Sequence, residues 1–314
     1  MRVVLAPMEG VLDHQLRSLL TQVGQYDLCV TEFIRIVDQV LPDRVYFRSC
    51  PELIDAGPYG SVTSSGTPVR VQLLGQDENY MAENAVKAVE LGSSGIDINF
   101  GCPAKTVNKN RGGAVLLKNP ENLYRIMDAV KNAVPKDTIV SAKIRLGYED
   151  KTLAIENAQA IESANTNELT VHARTKLEGY KPPAHWEWIA KIKEHVNIPI
   201  IANGEIWTLD DAKKCREVTG CKDIMVGRGA LALPNFAQVL KQEESIMSWQ
   251  DVQGLLFKYT QFEVYGDKSR YYPNRIKQWL RYLKIQYPQA DELFQTLRTL
   301  KTAQEIRTVL ERKV

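Results

Sequence analysis

A cysteine stands at the end of an apolar run in INFGCPAKTVNKNRGGA, residues 98–114, followed by Pro103, by Lys105, Lys109 and Arg111, and by two glycines. Two readings fit a thiol in that setting. A structural cysteine sits among apolar neighbours with no way out. A reactive one sits on a partly exposed loop beside cations. On these residues alone both stay open. A second stretch, VGRGALA at 226–232, matches the dinucleotide pattern GxGxx(G/A). That motif should close the first strand of a βαβ unit, with an acid about 20 residues further on. Here it follows the last of eight candidate strands and runs into Pro234, so the dinucleotide reading fails. Together with Ala202-Asn203-Gly204-Glu205, the Gly227-Arg228-Gly229 turn offers a phosphate two glycine loops and a short helix start. Arg228 would add a charge-assisted contact. A pair of tight glycine turns is the plainer alternative. The five cysteines (29, 50, 102, 215, 221) form no even framework and no CxxC, and the four histidines are scattered. Neither a disulfide scaffold nor a metal site is expected.

Such residues act only if the chain gathers them, and the chain alternates. Candidate strands are VVLAPM (3–8), LCVTEF (28–33), VRVQLLG (69–75), IDINFG (96–101), IVSAKIRLG (139–147), LTVHAR (169–174), PIIANGE (199–205) and DIMVGRG (223–229). Segments of helical period, such as 78–91 and 119–134, lie between most of them. Eight strand-then-helix units predict an α/β fold, a (β/α)₈ TIM barrel. The irregular stretch from Val37 to Thr67 reads as a long excursion between a strand and its helix. Barrel active sites form where strands end. There the chain places Glu9, Glu32, Gln72, Asn99, Cys102, Lys143, Arg145, His172, Arg174, Asn203, Glu205 and Arg228. An unpaired buried ammonium is very costly, so Lys143 must face the barrel mouth or a partner. The pattern favours an enzyme.

The bulk numbers agree. With 314 residues, 44% hydrophobic and 25% charged, the chain suits one barrel-sized unit, residues 1–240, and a smaller one, 241–314. No apolar run reaches the roughly 18 residues of a membrane span. The first residues, MRVVLAPMEG, lack the apolar core and cleavage site of a signal peptide, so a cytoplasmic protein is expected. Net charge is +2 but uneven. Residues 268–314 hold eleven Lys/Arg against four Asp/Glu, a balance of +7, and the rest carries −5. An acidic body with a basic tail suggests a polyanionic partner; a solvated helical tail is the bland alternative. Ser248 with Asp251 begins a helix running towards Tyr265. Ile276, Leu280 and Leu283 predict a buried face. Beside them run Lys277, Arg281 and Lys284, with Trp279, Tyr282 and Tyr287 interleaved, a mixture that suits RNA. Leucines and some aromatics are expected in the core, the cations on RNA.

Several motifs carry a resemblance. APMEG (6–10), TEF (31–33), VQLLG (71–75), NFGCPAKTVN (99–108), KIRLG (143–147), HARTK (172–176), ANGEI (202–206) and MVGRGAL (225–231) resemble the tRNA-dihydrouridine synthases across the whole barrel. The tail RIKQWLRYLK (275–284), with PMEGV and TEFIRIVD, is similar to the bacterial C-type, which acts on uridine 16 of the D-loop.

The resemblance implies an FMN enzyme that reduces a tRNA uridine to 5,6-dihydrouridine with NADPH. Cys102 would then be the acid that protonates carbon 5 while hydride reaches carbon 6. Pro7, Met8 and Glu9 would border the flavin and Gln72 would bond its ring edge. Lys143 would offset the negative charge of the reduced ring. His172 would sit near flavin and base, and Asn203, Gly204, Glu205, Gly227 and Arg228 would take the phosphate end. Asn99 and Tyr180 would meet the flipped uridine. Arg35, Arg275, Lys277, Tyr282 and Arg298 would contact tRNA. The cations after Cys102 would meet phosphate and pull the thiol pKa down, against its role as an acid. A monomer is expected, with no obligate protein partner. Two rivals stand beside this reading: a flavoenzyme reducing a free pyrimidine, which has no use for a basic tail, and a non-catalytic tRNA-binding barrel, which has no use for Cys102 and Lys143.

Overall fold

The computed structural model describes residues 1–58, 60–242, 244–264 and 271–311. Alternation of β-branched runs with amphipathic segments produces, among the described residues, nine parallel strands: β1 (Val3–Leu5), β2 (Leu28–Val30), β3 (Ile34–Arg35), β4 (Val69–Leu74), β5 (Ile96–Asn99), β6 (Val140–Arg145), β7 (Glu168–His172), β8 (Ile200–Asn203) and β9 (Asp223–Val226). Their order is β2-β1-β9-β8-β7-β6-β5-β4-β3, and the ring closes because β2 also pairs with β4, Cys29 opposite Val69. Eight strands make the barrel; β3 only extends the pairing at the upper end of β4, Ile34 opposite Leu73. The expected (β/α)₈ barrel is the observed fold.

The strands stop earlier than their composition predicts. The run 28–33 pairs as β2 only to Val30, 199–205 is strand only to Asn203, and 223–229 only to Val226. Residues just past these ends turn away to line the mouth. Gly204 at φ +117° and Glu205 at φ +56° adopt backbone that cannot continue a strand. The excursion after Val37 contains a helix, Asp43–Ser49, and a 3₁₀ turn, Pro51–Leu53. Lys105 to Lys109, expected as loop, form a short helix.

Side-chain alternation divides the barrel interior in two. Val4, Ala6, Leu28, Val30, Ile201 and Met225 form an apolar cluster on β1, β2, β8 and β9 with their flanks. On β4 to β7, every second residue is polar: Arg70 and Gln72, Asp97 and Asn99, Ser141 and Lys143, Thr170 and His172. Buried charges at the lower end are paired, as they must be. Arg70 Nη1 meets Glu168 Oε1 at 2.6 Å, and Arg2 bridges Glu168 at 2.7 Å and Asp223 at 2.8 Å.

Among the described residues, four helices follow the barrel: Trp249–Val264, Tyr272–Leu283, Gln289–Leu297 and Ala303–Glu311. Ser248 Oγ caps the first by accepting from Asp251 N at 3.2 Å. Ile276, Leu280 and Leu283 are buried as their spacing predicts, and Trp279 and Tyr287 go inside with them. They join the same apolar core as the barrel's outer helices. Trp279 Nε1 donates to Leu231 O at 3.1 Å. Tyr265 and the tail cations Lys268, Arg270, Arg312 and Lys313 lie outside the described residues. Among the described residues, no helix is long and apolar enough to cross a membrane.

Candidate active site

The upper strand ends and the loops beyond them enclose a cavity of about 770 Å³. Every residue assigned to the flavin from the sequence lines it: Pro7, Met8 and Glu9 after β1, Gln72 on β4, Lys143 on β6, His172 on β7, Asn203, Gly204 and Glu205 at the end of β8, Gly227 and Arg228 after β9. Cys102, Asn99, Tyr180 and Tyr282 line the same cavity.

Cys102 is held at both ends of its backbone. Its N–H donates to Asn99 Oδ1 at 2.9 Å, and its carbonyl accepts from Asn108 Nδ2 at 2.8 Å and Ala114 N at 3.2 Å. Gly113 permits that close approach. It sits at φ +68°, and a Cβ there would come within 2.9 Å of Cys102 O. The cysteine is only 8% exposed. Burial pushes the thiol pKa up and Glu9 adds to this, while the Ala104 N–H, Arg145 and Arg35 pull it down. Burial wins, so the thiol keeps its proton at neutral pH. The downward pull expected from Lys105, Lys109 and Arg111 is not what governs it; these three are exposed to solvent.

Asn99, assigned to the uridine, spends its amide on the protein. Its Oδ1 accepts from both Gly101 N and Cys102 N, and its Nδ2 donates to Gln72 Oε1 at 2.8 Å. Gln72 in turn donates to Asp97 Oδ2 at 2.7 Å.

Cations crowd the opposite side. Lys143 Nζ donates to Asn203 Oδ1 at 3.1 Å, and burial, then Arg145, push its pKa down to about 8. His172 is held well below its ordinary value by burial and by Arg145, Lys143, Arg174 and Arg228, so the ring is neutral. Glu205 collects the nearest donors: Arg174, Trp207 Nε1 at 2.9 Å and Arg228 Nη2 at 3.4 Å. The Arg228 guanidinium lies between two rings, 4.9 Å from Tyr180 and 4.8 Å from Trp207. Two buried atoms there, His172 Nδ1 and Arg174 Nη1, have no hydrogen-bond partner. A spare buried guanidinium N–H on Arg174 among excess positive charge favours an anionic group. Among the described residues, no three His, Cys, Asp or Glu side chains are grouped to hold a metal ion.

The residues assigned to tRNA divide. Arg275, Lys277 and Arg298 line a second groove, on the helical tail, with Arg281 and Phe294. Arg275 is ion-paired there with Asp13, and Lys277 Nζ donates to Leu300 O at 2.6 Å. Arg35 is exposed on β3 and lines neither cavity. Lys284, from the basic stripe, pairs with Asp291 at 3.1 Å.

Sequence reasoning underused three residues. Arg145 joins the Cys102 loop to the Tyr180 loop, donating to Gly101 O at 2.9 Å and Gly179 O at 2.8 Å. Asp97 anchors Gln72. Both sit two places from an assigned strand residue, Lys143 and Asn99, and that same-face spacing was the available signal. Trp207, stacked on Arg228, had none.

Solved structures share this barrel. An old yellow enzyme homologue from Zymomonas mobilis superposes with a TM-score of 0.55 at 12% identity, covering 79% of this chain and 90% of that one. Fold and site together define a (β/α)₈ barrel with a cation-rich cavity at its strand ends. The sequence profile of the dihydrouridine synthases (Dus) matches residues 4–314, and the chain belongs to that family. It is 57% identical over 311 residues to the tRNA-dihydrouridine(16) synthase of Shewanella oneidensis, covering 99% of this chain and 98% of that one. The enzyme of the same name from Escherichia coli K12 is 51% identical over 312 residues, covering 99% and 98%.

Proposed function

We propose that this chain reduces uridine 16 in the D-loop of tRNA to 5,6-dihydrouridine, with FMN as resident cofactor and NADPH as reductant, in the cytoplasm. The observation that carries the reading is a buried cysteine thiol sharing one cavity with a cation-rich corner. The relatives' activity at uridine 16 supports the choice of position.

FMN suits the residues present. Arg174 Nη1 is a spare buried donor, His172 Nδ1 is buried without a partner, and Gly227 leaves room where a Cβ would stand 3.1 Å from Met8 Sδ. Asn203, Gly204, Glu205, Gly227 and Arg228 would hold the phosphate end, Lys143 and Gln72 the ring, and Pro7, Met8 and Glu9 its border. Bound FMN, reduced by NADPH, would supply the hydride for carbon 6 of the uracil. Cys102 gives its proton to carbon 5 from the opposite face, a contribution of about 10²–10⁴-fold for a positioned acid. Lys143 would offset the negative charge of the reduced ring. Tyr180 and Tyr282 offer ring faces to a base drawn out of its stack. Residues 1–240 carry this chemistry and 241–314 hold the RNA, with Arg275, Lys277, Arg298 and Arg35 facing its backbone. One monomer contains every group invoked.

The test is direct: incubate the purified protein with FMN, NADPH and unmodified tRNA, then map dihydrouridine. Product at uridine 16 alone is expected. Product at another position would overturn the choice of uridine, and reduction of free uracil or orotate with none in tRNA would favour a small-pyrimidine reductase.

A further inference from the structure

We propose that Asp97 is a positioning residue for the proton donor, ending a one-way chain of side-chain amides that decides which atom Asn99 turns towards the Cys102 loop. Its purpose rests on the reading of Cys102 as the acid; its geometry does not.

The direction of the chain follows from the backbone. Gly101 N and Cys102 N, both 2.9 Å from Asn99 Oδ1, can only donate. Asn99 must therefore present oxygen to the loop, which leaves its nitrogen to face Gln72 Oε1 at 2.8 Å. Gln72 must then send its own nitrogen onward, and it meets Asp97 Oδ2 at 2.7 Å. A chain of donations needs an acceptor at its end, and a carboxylate is one. The other oxygen, Oδ1, accepts from Ser141 Oγ at 2.6 Å, and Ser141 is itself held by Arg70 Nη1 at 2.8 Å. Gln72 is 0% exposed, Asp97 2% and Asn99 8%, so water does not replace a missing partner. A carboxylate that only balanced the charges of Arg70 and Lys143 would not need this order of donors.

Reversing the chain separates the two roles. In Asn99→Asp, oxygen faces oxygen at the Gln72 contact and the chain is broken. Adding Asp97→Asn turns every link round: Gln72 Nε2 donates to the new carboxylate, and the new amide donates to Gln72 Oε1. Net charge then equals that of the wild type. The readout is the rate at which iodoacetamide alkylates Cys102 in the FMN-loaded protein at fixed pH, followed by mass. Asn99→Asp should be alkylated about tenfold faster, since losing one buried hydrogen bond, to Gln72, frees the side chain that holds the loop by an energy of that order. The double variant should return most of the way to the wild-type rate. Both variants carry a carboxylate at position 99, so its field on the thiol cancels between them. A double variant as reactive as Asn99→Asp would overturn the proposal. If Asn99→Asp does not fold, Asp97→Ala removes the terminal acceptor along with the Ser141 bond; faster alkylation there supports the chain, and an unchanged rate overturns it. A Cys102→Ala variant that still reduces tRNA at the wild-type rate would sink the proton-donor reading and leave the chain standing.

Discussion

Lys143 should be worth more to the protein removed than kept, until flavin is added. Burial draws its pKa down to about 8 from the ordinary 10.5. At roughly 1.4 kcal/mol per unit, the flavin-free fold carries about 3 kcal/mol against the charged form. A group whose folded value lies below its unfolded value makes the folded state bind fewer protons, so stability rises with pH between the two values. The penalty is complete below pH 8 and is relieved between 8 and 10.5. Lys143→Met should therefore raise the melting temperature of the flavin-free protein at neutral pH. A shift of about 2 °C per kcal/mol for a chain of this size gives about 6 °C. The gain should shrink above pH 8 and vanish near 10.5. Added FMN should reverse the order, because the variant lacks the cation proposed to hold the ring. Melting curves with and without FMN across that pH range test all three points. A variant that melts lower at neutral pH, or whose gain does not change with pH, would refute the reasoning.

Cys102→Ala should keep its flavin and its reduction by NADPH while uridine reduction falls at least about a hundredfold, the lower end for removal of a general acid; stopped-flow traces of the two half-reactions decide it. Lys277→Ala with Arg298→Ala should flatten the salt dependence of tRNA affinity by about one unit of slope for each phosphate no longer neutralised, with the flavin spectrum unchanged. An undiminished slope would take the tail groove out of the interface. Gly113→Ala, at φ +68° and against Cys102 O, should lower stability by about 1–2 kcal/mol in urea titrations and slow turnover more than flavin binding.

Strand-borne polar residues were the most legible part of the chain. Gln72, Asn99, Lys143 and His172 stand out because a polar side chain inside a β-branched run has few places to go, and the barrel sends all four to one cavity. Past the strand ends legibility fell. Composition extended β2, β8 and β9 into residues whose backbone turns away, since glycine and β-branched neighbours score alike whether or not they pair. The fate of individual cations was hidden for another reason. Arg275 and Lys277 look identical to free tail cations in sequence, yet they engage Asp13 and Leu300 O, partners 262 and 23 residues away. The thiol followed the same logic. Neighbours in sequence argued for a lowered pKa, and burial by the folded chain raises it.

The five-residue helix Arg228–Ala232 serves two masters. Its first residue belongs to the corner that suits a phosphate, and near its other end Leu231 O receives Trp279 from the tail. A tail exchanged for that of another family member would have to bring a matching surface for this strut. A graft that left a gap beneath Trp279 would disturb the cation-rich corner at the same time as the tail groove. Altering the exposed face of the tail therefore leaves that corner in place, whereas replacing the tail whole puts it at risk.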